Sequence, residues 1–226
     1  MLLLVTDTSG KNGCVALARA TDGSDKNVEL IESVPLAGGN FSAQLVPQIS
    51  GLLEKHGFSK SEIGAFVVVS GPGSFTGLRV GLAAVKALAE ILAKPIVPVS
   101  LLEVVAVASG CDGCVIAVMD AGRGDVYGGE YESADDATRM VRERLLSKAE
   151  FVESARGVTV VTSDAALVKL AGEAGLSVRE IGAVNAEMIS RLGIRKLRAG
   201  EIVSPDKLDA NYIRRSDAEI FGKSKS

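Results

Sequence analysis

Ser70-Gly71-Pro72-Gly73-Ser74-Phe75-Thr76-Gly77-Leu78-Arg79-Val80-Gly81 follows the apolar run Ala65-Phe66-Val67-Val68-Val69 and continues into Leu82-Ala83-Ala84-Val85-Lys86-Ala87-Leu88-Ala89-Glu90-Ile91-Leu92. An apolar, β-branched run closed by Ser-Gly-Pro-Gly predicts a buried strand entering a turn. Ser74 or Thr76 is placed to cap the helix that follows. The unit is therefore strand, glycine loop and helix N-terminus, a geometry that aims backbone N–H groups at one spot and suits a phosphate or carboxylate. Gly71, Gly73, Ser74, Thr76 and Gly77 are its candidate anion-binding residues.

The helix is apolar nearly all round. Between Arg79 and Glu90 its only charges are Arg79, Lys86 and Glu90, on one narrow stripe. Such a helix needs cover on more than one side, from its own domain or from another chain. Both readings remain open on the sequence.

The wider chain has 226 residues, 47% of them hydrophobic, and a mean hydropathy of +0.27. It is long enough for one large domain or two lobes. No run reaches the roughly 18–20 uncharged residues of a membrane span, and Met1–Val5, stopped by Asp7, reads as a first strand rather than a signal peptide. The expectation is a cytoplasmic protein. From Arg191 onward there are nine Lys/Arg against five Asp/Glu, so a net charge of −3 leaves −7 on the first 190 residues. That body is a poor nucleic-acid surface. Cys111-Asp112-Gly113-Cys114 is a lone CxxC, and only Cys14 and the single His56 could complete a zinc set. Reduced thiols in a turn before a strand are the expectation.

In order, Leu2–Val5, Cys14–Ala20 and Val28–Leu36 read as an antiparallel meander with an Asp22-Gly23 turn. Phe41–His56 reads as a helix with Phe41, Leu45, Ile49, Leu52 and Leu53 on one face, Pro47 inside it and Gly57 ending it. With the strand at 65–69, the long helix and a strand at Pro95–Ser100, residues 1–100 read β-β-β-α-β-α-β. The opening pattern then returns. Val115–Asp120, the turn Ala121–Asp125 and Val126–Glu132 repeat strand, Asp, glycine turn, strand, with Asp120 over Asp7. Ser133–Arg144 reads as a polar loop leading into a helix, Ser147–Ser154 as a helix, Val158–Val161 as a strand, and Ala165–Ala174 and Asn185–Leu197 as helices. Lys223–Ser226 is expected to be disordered.

Paired lobes of this kind resemble the actin-like ATPase (ASKHA) architecture: α/β, two-lobed, each lobe a mixed sheet with flanking helices, the second lobe degenerate. The division expected is 1–104 and 105–226, the final segment packing back on the first lobe. Asp7 and Asp120 are the candidate magnesium carboxylates, and a turn-capping role for Asp7 is the alternative. A late Gly-Gly adenosine motif and a Walker loop are missing, which disfavours an intact ATPase.

Five stretches are similar to the bacterial TsaB (YeaZ) family: Gly71–Gly81, Thr6-Asp7-Thr8, Pro98-Val99-Ser100-Leu101-Leu102, Met119–Tyr127 and Asn211-Tyr212-Ile213-Arg214. The resemblance implies a non-catalytic subunit with no cofactor of its own. It implies a TsaD-like catalytic partner and a TsaE-like ATPase, which uses ATP and magnesium on the complex's behalf. The product would be tRNA carrying threonylcarbamoyl on N6 of adenosine 37. It also implies a homodimer when the partner is absent. Both contacts would use the two first-lobe helices, through Phe41, Leu45, Ile49, Leu52, Val80, Ala84 and Leu88. Phe41 stands where the family commonly has His, and Phe cannot ligate a metal, so a metallopeptidase reading has no support. The rival reading is a nucleotide-hydrolysing enzyme using Asp7, the Gly71–Gly77 loop and Asp120.

Overall fold

The structure, a computed structural model, describes residues 1–21, 28–134 and 137–214. The expected Asp22-Gly23 turn and the C-terminal Lys223–Ser226 lie outside them. The chain divides into two units, Met1–Leu101 with Asn185–Asn211, and Leu102–Val184 with the residues from Tyr212.

The first unit is built on β1 (Leu2–Asp7), β2 (Asn12–Ala20), β3 (Val28–Ala37), β4 (Ile63–Gly71) and β5 (Ile96–Ser100), in the order β3-β2-β1-β4-β5. The first three strands form the expected antiparallel meander, with Asp7 opposite Cys14. β4 lies parallel to β1 and β5, which requires crossovers, and helices supply them. They are α1 (Phe41–Lys55) and α2 (Phe75–Leu92). Gly57, with φ of +69°, follows α1 as the sequence predicts. Phe41, Leu45, Ile49, Leu52 and Leu53 pack with Leu2, Leu4, Phe66, Val68, Leu82 and Val85 in one core.

All of α3 (Leu101–Ala108) but its first residue lies in the second unit. Its sheet comprises β6 (Gly113–Gly122), β7 (Asp125–Ala134), β8 (Ala137–Ser147), β9 (Thr159–Thr162) and β10 (Val178–Glu180), in the order β10-β9-β6-β7-β8. The helices α4 (Lys148–Ser154) and α5 (Ala165–Glu173) are capped by Ser147 and Asp164. Two features differ from the sequence reading. Residues 137–147 are a strand rather than a loop entering a helix. β8 is an edge strand with little apolar alternation, and its fit depends on cross-strand partners. Arg139 pairs with Glu132, and Arg142 and Arg144 with Glu130. β10, three residues long, is below what periodicity can reveal.

The last helix, α6 (Ala186–Arg198), belongs to the first unit, although the sequence division groups it with residues 105–226. Leu3, Val5, Ala65 and Val67 are fully buried, so the second face of that sheet needs a cover of its own. α6 packs along β1–β5 and provides it. Gly193 lies so close that a Cβ there would sit 2.6 Å from the Val67 methyls.

Candidate partner surface and glycine loop

The glycine loop turns the chain as predicted, and Ser74 caps α2, its hydroxyl accepting from the Gly77 N–H at 3.3 Å. What the loop faces is the protein's own β1–β2 turn. The Ser74 N–H donates to the Ser9 carbonyl at 2.6 Å, and the Thr8 hydroxyl donates to the Gly77 carbonyl at 2.8 Å. A Cβ at Gly73 would sit 2.4 Å from the Ser9 oxygen, one at Gly77 2.1 Å from the Thr8 oxygen, and one at Gly81 2.3 Å from the Thr8 hydroxyl. Glycines at i, i+4 and i+8 thus let the turn lie against the first turns of α2. That spacing is the sequence signal for the contact. The Phe41 ring closes the side, 3.0–3.3 Å from where Cβ atoms at Gly13 and Gly77 would be. Gly71, at φ of +142°, passes beneath the Asn211 carbonyl, and the Asn211 N–H donates to Ser70 O. Thr76 is exposed.

Asp7 takes the turn-capping alternative. One carboxylate oxygen accepts from the Ser9 N–H at 2.9 Å and the Ser9 hydroxyl at 2.6 Å. Burial pushes its carboxyl above the ordinary value, and the Ser9 hydrogen bonds only partly oppose the rise. Burial, then the charge of Asp7, pushes the Cys14 thiol up to about 11, which keeps it protonated near neutrality. A loop lined by carbonyl oxygens beside a partly buried carboxyl is a poor cradle for an anion.

His56 contacts Glu32 at 2.7 Å, beside Lys55 on the same carboxylate. Among the described residues no three His, Cys, Asp or Glu side chains are grouped to hold a metal. The CxxC is split between the turn before β6, which holds Cys111, and the strand itself, which holds Cys114. Cys111 packs with Val115 and Ala117, whereas Cys114 is exposed and shares the parity of Ile116 and Val118, which face the opposite core.

Asp120 is exposed, opposite Val126 on β7. The adjoining turn has three successive residues in the left-handed region, Gly122, Arg123 and Gly124. Arg214 braces it, donating to Asp125 at 2.6 Å and to the Gly122 carbonyl at 3.3 Å. The motifs Met119–Tyr127 and Asn211–Arg214 therefore meet, and Asp125 is a structural ion pair. Burial raises the Tyr127 hydroxyl pKa, and Arg214 moderates the rise.

The two first-unit helices pack on each other, and their inward faces are sealed in the protomer core. Phe41, Leu45, Ile49 and Leu52 are all buried, so they cannot form an intermolecular contact while the unit is folded. This corrects four of the seven expected interface positions: the periodicity identifies a buried face but not what buries it. Val80, Ala84 and Leu88 are half-buried at its margin. The outward face consists of other residues. Ala43, Pro47 and Gly51 are exposed on α1 with Val46 at 51%, and Ala83 and Ala87 on α2 with Ile91 at 79%. The small and apolar residues Ala43, Pro47, Gly51, Ala83 and Ala87 are thus exposed there, beside Gln48, Ser50 and Glu54 of α1.

Residues 35–183 match the family model described as "TsaD: tRNA N6-adenosine threonylcarbamoyltransferase". The chain is 30% identical over 189 residues to the tRNA threonylcarbamoyladenosine biosynthesis protein TsaB of Escherichia coli K12, covering 77% of this chain and 81% of that one. It is 35% identical over 134 residues to the TsaB of Bacillus subtilis 168, 58% of this chain and 56% of that protein. The match thus spans little more than half of the Bacillus relative's length. A solved Pseudomonas aeruginosa structure, described as similar to the peptidase YEAZ, superposes with a TM-score of 0.73 at 25% identity, over 94% of this chain and 99% of that one. The fold is the actin-like (ASKHA) α/β fold.

Proposed function

Because the chain belongs to the TsaB (YeaZ) family, we propose that it is the non-catalytic subunit of a tRNA threonylcarbamoyladenosine-forming complex. Its partner is a TsaD-like catalytic subunit, which transfers threonylcarbamoyl to N6 of adenosine 37 in tRNAs reading codons that begin with A. A TsaE-like ATPase completes the complex and uses ATP and magnesium, and this chain holds no cofactor of its own. The complex acts in the cytoplasm.

The observation that carries the reading is the outward face of α1 and α2. Ala43, Val46, Pro47, Ala83, Ala87 and Ile91 leave apolar area in water that a second pair of helices would remove. Without the catalytic subunit, a second copy of the chain covers the same face as a homodimer. The rival nucleotide-hydrolysing role needs an open phosphate loop, and the Ser9 carbonyl already takes the Ser74 N–H while Asp7 is folded back on Ser9.

Mixing the chain with its cognate TsaD homologue at micromolar concentration should give one heterodimer peak by size-exclusion chromatography with light scattering. Separate elution of the two proteins would defeat the proposal. Calorimetric binding of magnesium-ATP by this chain alone would favour the enzyme reading.

A further inference from the structure

We draw no further inference here: the strongest candidate, the groove between the C-terminal end of α2 and residues 202–205, lined by Ala89, Ala93, Pro95, Ile202 and Pro205, carries nothing because nothing in the structure shows what covers it.

Discussion

The β1–β2 turn and the β6–β7 turn begin from the same sequence pattern, an apolar strand ending in Asp followed by a glycine-bearing turn, yet they reach opposite states. At the first, α2 lies against the turn, Asp7 is partly buried and its carboxylate is committed to Ser9. At the second, Asp120 is exposed, and Arg214 braces the turn through Asp125 and the Gly122 carbonyl. The lesson is that a strand-end carboxylate acquires its chemistry from what is packed over it. Gly73, Gly77 and Gly81 allow α2 to descend on Thr8 and Ser9, and that approach converts an apparent anion loop into a structural joint.

The comparison breaks most readily at Gly77. Gly77→Val should destabilise the protein by about 3 kcal/mol or more, because the new Cβ meets the Thr8 carbonyl, which is backbone and cannot rotate aside. Urea unfolding measures this, and a near-wild-type midpoint would mean that the helix does not lie on the turn. Next comes Asp7→Ala, which leaves the Ser9 donors unpaired and should cost about 2 kcal/mol in the same assay.

Asp7 also sets a pH signature. Its folded pKa lies above the ordinary 3.8, so the native state holds this proton more tightly than the unfolded chain. Its contribution is fullest below 3.8 and is lost as pH rises through the folded value. Asp7→Asn should therefore remove a fall in stability with rising pH over that window. An identical pH profile for the two proteins would contradict burial of the carboxyl.

In the second turn, Arg214→Ala should cost about 1–2 kcal/mol, since a half-buried pair and a carbonyl contact are lost together. Asp120→Asn should change stability by no more than about 0.5 kcal/mol, as expected for an exposed side chain with no role in the brace. A loss at Asp120 as large as at Asp7 would erase the distinction between the turns.

Much of this was legible in the chain. The meander, β4, the glycine loop and α2 are strong local signals, because strand alternation, β-branched runs, caps and glycine stops are properties of neighbouring residues. Phe41, Leu45, Ile49 and Leu52 were correctly read as one apolar face, and their burial among Leu4, Phe66 and Val68 shows that the face closes on its own sheet. The polar strand β8 differs from the sequence expectation because backbone pairing to β7 and ion pairs to Glu130 and Glu132 across the ladder leave no apolar period to read.

The sequence by itself determined the order of most elements, the family motifs and the strand, glycine loop and helix unit that runs from β4 into α2. Only the tertiary structure decided what approaches that loop, which face of each helix stays in water, that α6 covers the first sheet, and that Arg214 reaches Asp125 from 89 residues away. The division is physical: torsional preference and periodicity act between near neighbours, whereas burial and pairing depend on which distant segments the folded chain brings into contact.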